Sequence, residues 1–115
     1  MPLDPTLSGR MERRLPIIVV VCVAQVDRAD SYESERTYTD NISAHGARLF
    51  SRRRWKLDEK IVVTPLKDEA ANGSVVYCQR LEDDRFGIGV RFHDQAVVWS
   101  AIQRYDGLRL TVQAK

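Results

Sequence analysis

The chain has 115 residues, of which 43% are hydrophobic and 30% charged, a composition typical of a soluble globular protein. This length supports one hydrophobic core and excludes a chain of two full domains. The 18 basic and 16 acidic residues nearly cancel to a formal net charge of +2, so the total charge by itself indicates no class of partner.

The first 14 residues lack apolar periodicity and contain two prolines and a glycine, so we predict a flexible arm over residues 1–14. A continuous β-branched run over 17–26 then predicts a buried strand. Basic residues before a short apolar run also occur in secretory signal peptides. We favour the strand, because the run is far shorter than the roughly 20 apolar residues that cross a bilayer.

Five further segments have the composition of strands and are separated by turn residues. The Asn-Gly pair at 72–73 predicts a hairpin turn over 71–73, and the acidic run over 82–84 predicts another turn. The predicted strands cover residues 17–26, 35–42, 47–50, 60–64, 74–81 and 86–92. About six short strands predict an all-β fold, either a small antiparallel barrel or a sandwich.

After residue 93 the apolar spacing changes to that of a helix, which Asp94 can cap and Gly107 can end. Alternating residues over 108–112 fit a short final strand or a docked tail. We therefore divide the chain into the arm, a barrel over 15–93, and an accessory helix with its tail over 94–115. The predicted helical stripe consists of Val98, Trp99, Ala101, Ile102 and Tyr105. Within it, Trp99 is expected in the core or facing a partner.

No catalytic motif is present: there is no Ser/His/Asp order, no phosphate-binding loop and no pair of histidine ligands. Cys22 and Cys78 lie in apolar, strand-like runs, so we expect buried free thiols in a reducing, cytoplasmic compartment. No Cys/His spacing indicates a metal site. The sequence therefore predicts a binding module rather than an enzyme, with no metal and no cofactor.

A first candidate binding motif is R-x-x-x-R, formed by Arg10 and Arg14 at the end of the arm, with Arg13 between them. Guanidinium groups pair with phosphates, fork onto the O6/N7 edge of guanine and stack on purines. Arg13 can add charge toward the same ligand or stay solvated. The alternative is a basic terminus that only keeps the chain soluble.

A second candidate motif is N-x-S-x-x-G, formed by Asn41, Ser43 and Gly46. An asparagine oxygen can accept from the N1–H and amino group of guanine, and a serine hydroxyl can donate to a phosphate or a base. We expect Gly46 to adopt a backbone conformation that a Cβ would resist, for instance one with positive φ. The alternative is an ordinary turn at a strand end, where these residue types are common.

Together the two motifs resemble the PilZ family, the bacterial receptors for cyclic di-GMP. In that family R-x-x-x-R precedes the first barrel strand and [D/N]-x-S-x-x-G closes the second, and the run at 89–92 (Gly-Val-Arg-Phe) resembles the last barrel strand. The resemblance covers about residues 10–93 and implies a six-stranded antiparallel barrel with an accessory helix. It also implies cyclic di-GMP as the ligand. The residues it assigns to that ligand are Arg10, Arg14, Asn41, Ser43 and Gly46, while both roles of Arg13, toward the ligand or toward solvent, stay open.

Asn41 departs from the commoner family pattern, which has Asp at this position. A neutral amide accepts hydrogen bonds more weakly than a carboxylate, so the departure concerns affinity rather than ligand identity. Asp40 is adjacent, but neighbouring residues of a strand face opposite sides, so we expect that Asp40 cannot substitute.

Two rival functions remain. The basic run over 52–56 includes Trp55, a pattern typical of nucleic-acid patches, although we favour a solvated loop with Trp55 folded onto the barrel. His45 is expected to be exposed rather than functional. The rivals are a nucleic-acid-binding small barrel and a PilZ-fold adaptor that does not bind the nucleotide. The favoured reading is a cytoplasmic receptor that signals to a partner protein through a changed surface, with neither nucleic acid nor a membrane as partner.

Overall fold

The computed structural model describes residues 14–26, 34–93, 96–97 and 99–104. In this part of the chain, six strands and one short helix, α1 over residues 100–104, make up the fold. The strands are β1 (Val20–Gln25), β2 (Glu35–Ser43), β3 (Gly46–Ser51), β4 (Lys60–Pro65), β5 (Ala71–Arg80) and β6 (Phe86–Phe92). Neighbouring strands pair antiparallel and close into a barrel in the order β1-β2-β3-β6-β5-β4. The prediction of a mainly β fold with a six-stranded antiparallel barrel is confirmed.

The barrel interior is filled by inward-facing apolar side chains from every strand. Almost all of the fully buried ones are β-branched, the type that favours an extended backbone. Burying each contributes roughly 1.5–3 kcal/mol, so these residues drive closure of the sheet. The fully buried apolar residues of the strands are Val21, Val23, Ile42, Leu49, Ile61, Val63, Val75 and Ile88.

The strand predicted over 17–26 begins only at Val20. Before that point, the side chain of Thr39 in β2 forms hydrogen bonds that take the place of regular backbone pairing between strands. Thr39 Oγ1 donates to Ile17 O at 2.9 Å and accepts from Val19 N at 3.0 Å. Thr39 N also donates to Val19 O at 3.0 Å. The threonine is fully buried with its polar groups satisfied, so the segment before β1 stays attached to β2 without forming a strand.

The hairpin turn predicted over 71–73 is wrong, because Asn72 and Gly73 lie inside β5. A Cβ on Gly73 would lie 2.5 Å from Arg91 O. The glycine is therefore required by the close approach of β5 to β6 and not by a turn. The chain instead reverses direction over 66–70.

Helix α1 is fastened to the connection between β4 and β5. Asp68 Oδ1 accepts from Ser100 N at 3.1 Å and from Ser100 Oγ at 2.7 Å. Next to it, Trp99 Nε1 donates to Glu69 O at 3.2 Å. Trp99 is 3% exposed and packs on Phe92 with ring centroids 5.5 Å apart. Trp99 is therefore a core residue, the first of the two roles expected for it.

Some predicted features lie outside the described residues: the arm up to residue 13, the cap at Asp94, the helix end at Gly107 and the tail over 108–112, together with Val98 and Tyr105 of the helical stripe. Within the described part, Cys22 and Cys78 are free thiols and only partly buried. No helix there is long and apolar enough to cross a membrane. No group of three His, Cys, Asp or Glu side chains there could hold a metal ion.

Candidate functional site

The segment before β1 is attached to β2 by a pair of backbone hydrogen bonds. Leu15 N donates to Ile42 O at 2.7 Å, and Ile42 N donates to Leu15 O at 2.9 Å. The Leu15 side chain is buried as well, so packing and hydrogen bonding hold the same point. Arg14, one residue earlier, is exposed and is thereby held beside β2.

The two sequence motifs meet at this point. Arg14 Nη1, from the second arginine of R-x-x-x-R, donates to Asn41 Oδ1, from the first residue of N-x-S-x-x-G, at 3.2 Å. Arg14 is exposed and Asn41 is partly exposed, so both side chains border solvent. Arg10 and Arg13 lie outside the described residues. The contact places the second arginine of the R-x-x-x-R motif against the barrel.

Asp40 and Asn41 do not face opposite sides of the sheet as expected. The register of β2 against β3 shifts between Thr39 and Asn41, which is a β-bulge, and a bulge redirects side chains. As a result Asn41 Nδ2 donates to Asp40 Oδ1 at 3.2 Å. Asp40 Oδ2 in turn forms an ion pair with Arg48 of β3. The expectation from simple alternation was therefore wrong, and Asp40 is part of the site.

Ser43 has a structural position in the turn between β2 and β3. It is 1% exposed, and its Oγ accepts from His45 N at 3.3 Å and donates to Gly46 O at 3.4 Å. These bonds span the turn, so the serine stabilises the hairpin that carries the motif. His45 is exposed as expected.

A Cβ is resisted at Gly46 as expected, but the reason is packing and not a positive φ. No glycine among the described residues has a positive φ. A Cβ on Gly46 would instead lie 2.6 Å from Val90 O of β6, a distance that side chains do not tolerate. The motif glycine therefore permits the hairpin to lie close against β6.

Arg91 is a neighbour of this site that the sequence did not predict. It pairs with Gly46 in the ladder between β3 and β6 and is exposed. Its side chain forms no hydrogen bond or ion pair with any residue that the structure describes. The pairing depends on the strand order, in which β3 and β6 are neighbours although they are not consecutive in the chain. Arg14 and Arg91 thus bring positive charge to the hairpin surface, where an anionic ligand can use it.

The basic run over 52–56 is organised around a buried tryptophan. Trp55 is 4% exposed, and its Nε1 donates to Ser51 Oγ at 3.1 Å. Arg53 covers the ring with its Cζ 4.0 Å from the centroid and pairs with Glu59 at 2.6 Å. The interpretation of Trp55 as folded onto the barrel is confirmed, and its ring is not offered to a nucleic-acid base.

Glu59 fastens this connection to β1. Its carboxylate accepts from Arg53 Nη2 at 2.6 Å, from Lys56 N at 2.9 Å and from Gln25 Nε2. Burial raises the pKa of Glu59. Hydrogen bonds from Arg53, from Lys56 N and from Gln25, together with the charge of Arg53, lower the pKa by more than burial raises it. The net result is a pKa below the ordinary value for glutamate, so the charged form is favoured in the folded protein.

The barrel is similar in fold to a protein of known structure. Among solved structures, the inhibitor of motility MotI/DgrA from Bacillus subtilis is similar, with a TM-score of 0.60 and 15% sequence identity. The similarity covers 87% of this chain and 50% of that one, so the chain spans about half the length of its neighbour, and the likeness concerns the fold alone. No curated protein matches the chain.

The family model for the PilZ domain matches residues 9–105. The match therefore extends past the barrel and includes α1, beyond the limit of about residue 93 drawn from the motifs. It spans most of the chain, both motifs and all six strands, and the chain therefore belongs to the PilZ domain family.

Proposed function

We propose that this PilZ domain is a receptor for cyclic di-GMP that signals to a partner protein through a surface changed by the ligand. The observation that carries the proposal is the contact of 3.2 Å between Arg14 Nη1 and Asn41 Oδ1. Two motifs separated by about thirty residues in sequence are brought together by the pairing of Leu15 with Ile42. Neither motif alone carries the proposal, but their meeting at one surface supports a common ligand.

The chemistry of the site suits a doubly anionic purine dinucleotide. The exposed guanidinium of Arg14 can pair with a phosphate or fork onto the O6/N7 edge of guanine. The oxygen of Asn41 can accept from the N1–H and amino group of guanine. In this proposal Arg10 and Arg13 add further contacts from the arm, while Ser43 and Gly46 act chiefly by shaping the hairpin.

The signal would pass through the arm. In the proposed mechanism, residues 1–13 are recruited onto the ligand by their arginines, and the ordered arm becomes part of the surface that a partner reads. Fixing a residue costs roughly 1–2 kcal/mol of backbone entropy, which the charged contacts must offset. Because cyclic di-GMP is a cytoplasmic messenger of bacteria, the receptor would act there, as a binding module without catalytic function.

Calorimetry on the full-length chain tests this proposal, with cyclic di-GMP as the ligand and a single-stranded oligonucleotide as the competing probe. We expect saturable binding of cyclic di-GMP and none of the oligonucleotide. Binding of the oligonucleotide alone would favour a nucleic-acid-binding barrel. Binding of neither probe would favour an adaptor that works through protein contacts only.

A further inference from the structure

We propose that Asp40 is the positioning residue that orients the amide of Asn41 as a hydrogen-bond acceptor, and that it thereby sets a preference for guanine over adenine. The inference rests on the proposed function, because it concerns how that site recognises its base. It assigns a role to a residue outside both sequence motifs.

An asparagine amide can present either of two opposite groups to a base. Its oxygen accepts hydrogen bonds and its nitrogen donates them. The Watson–Crick edge of guanine offers donors at N1 and the amino group, whereas adenine offers an acceptor at N1 beside its amino donor. A carboxylate only accepts, so aspartate needs no orientation to prefer guanine. An asparagine at the same position discriminates only if something fixes which group faces the ligand.

The neighbours of Asn41 fix that orientation by charge. Its Oδ1 faces the guanidinium of Arg14 and its Nδ2 faces the carboxylate of Asp40, each at 3.2 Å. The reversed amide would place an NH₂ group against a cation and a carbonyl oxygen against an anion. Both contacts would become repulsive, so the amide is held with its oxygen toward Arg14 and the exposed side of the site.

Asp40 keeps this role when the ligand arrives, whereas Arg14 is recruited to the ligand. Asp40 is anchored by the ion pair between its Oδ2 and Arg48 Nη1, with side chains only 33% and 25% exposed respectively. The guanidinium of Arg48 also lies close over Gly87 of β6, since a Cβ on that glycine would be 2.8 Å from Arg48 Nη2. The series Arg48, Asp40 and Asn41 is thus built on the barrel and does not depend on the arm.

The β-bulge makes this arrangement possible. In a regular strand, residues 40 and 41 would point to opposite faces, but the register shift between Thr39 and Asn41 lets the two side chains meet. The negative charge of Asp40 lies one residue before position 41, where the family motif more often has aspartate. It is already paired with Arg48. An anionic ligand would therefore meet an acceptor at Asn41 without an unpaired carboxylate beside it.

The test is calorimetry on the full chain with cyclic di-GMP and cyclic di-AMP, comparing the ratio of the two affinities. Asp40→Ala should lower that ratio by about tenfold, the scale of one base contact. Asp40→Ala combined with Asn41→Asp should restore the ratio, because a carboxylate accepts in either orientation. The matched control is Asp83→Ala, which removes another surface aspartate paired with an arginine, Arg85, at 2.8 Å, and should leave the ratio unchanged.

A second readout does not depend on the ligand. In the free protein, the side-chain NH₂ resonances of Asn41 should shift in Asp40→Ala and stay in place in Asp83→Ala. Unchanged resonances, or an unchanged affinity ratio in an Asp40→Ala protein that still binds cyclic di-GMP, would overturn the role of Asp40 while leaving the receptor proposal intact. A wild-type protein that binds neither dinucleotide would overturn both.

Discussion

The surface beside the hairpin of β2 and β3 and the connection between β3 and β4 both present arginines, but the partners of these arginines differ. In the connection, Arg53 stacks on Trp55 with its Cζ 4.0 Å from the ring centroid and pairs with Glu59. Arg54 lies over the Phe86 ring, 5.6 Å from its centroid. Arg53 therefore has a stacking partner and a charge partner, and Arg54 has a stacking partner, so both have less to gain from an outside ligand.

Beside the hairpin, Arg48 of β3 is paired with Asp40, but Arg14 and Arg91 differ from the arginines of the connection. Arg14 donates to the neutral amide of Asn41, and the side chain of Arg91 has no ionic partner among the described residues. An arginine without a carboxylate partner has most to gain from an anionic ligand. The partners of basic residues, rather than their number, are therefore the better guide to where an anionic ligand would bind.

The largest effect is expected from deleting residues 1–14, which removes all arginines of the first motif. Binding of cyclic di-GMP should fall below detection by calorimetry. The barrel should stay folded, because its first strand begins at Val20 and Leu15 is retained. Circular dichroism provides the control for folding. A truncated protein that binds at near-wild-type affinity would show that the arginines of the arm are not needed, and would favour the connection over 52–56 as the ligand site.

Arg14→Ala should weaken cyclic di-GMP binding by about 1–3 kcal/mol, the scale of one bidentate contact. Arg14→Lys should recover only part of this loss, because lysine lacks the planar fork. Arg53→Ala is the matched control, since it removes an arginine that is already stacked and paired. If calorimetry shows equal losses for the alanine variants of Arg14 and Arg53, the distinction between the two regions is wrong.

Gly46→Val should lower the free energy of unfolding by about 1–3 kcal/mol, the usual cost of overpacking. The cause is the clash between the new Cβ and Val90 O, which would be 2.6 Å apart. Thermal denaturation measures the effect, and the same substitution at exposed His45 serves as the control. A Gly46→Val protein as stable as the wild type would show that β3 can move away from β6 without cost.

The smallest effect is expected from Glu59→Gln, which tests the connection alone. Because the folded protein lowers the pKa of Glu59, its charged form stabilises the fold above the unfolded pKa of about 4.3. That stability is lost as the pH falls through the lower, folded pKa. The free energy of unfolding of the variant should therefore depend less on pH in the acid range, as measured by denaturation between about pH 2 and 6. Its binding of cyclic di-GMP at neutral pH should be unchanged. Weaker binding by the variant would show that the connection between β3 and β4 contributes to the ligand site.

The strands and both motifs could be predicted from the sequence because each depends on local patterns. Runs of valine and isoleucine such as 60–64 mark buried strands wherever they pair. The misassigned pair Asn72-Gly73 shows the limit of this reasoning. Its glycine serves the approach of β5 to β6, and such an approach is invisible until the pairing of distant strands is known.

The detail of the candidate site depended on features that no local pattern carries. The bulge beside Asn41 changes which way Asp40 points, and alternation alone gives the wrong answer there. Arg91 becomes a neighbour of Gly46 only through the barrel order. The helix cap at Ser100 comes from Asp68, more than thirty residues earlier, and the aspartate expected from sequence to cap that helix, Asp94, lies outside the described residues.

The turn of the second motif is also fixed on its other side. Phe92 N donates to His45 O and Val97 N donates to Ala44 O, both at 2.8 Å. These two bonds connect the turn to β6 and to the segment that precedes α1. If the proposed ligand displaced the turn, the displacement would therefore reach a second surface, near α1, on the side of the hairpin away from the arm.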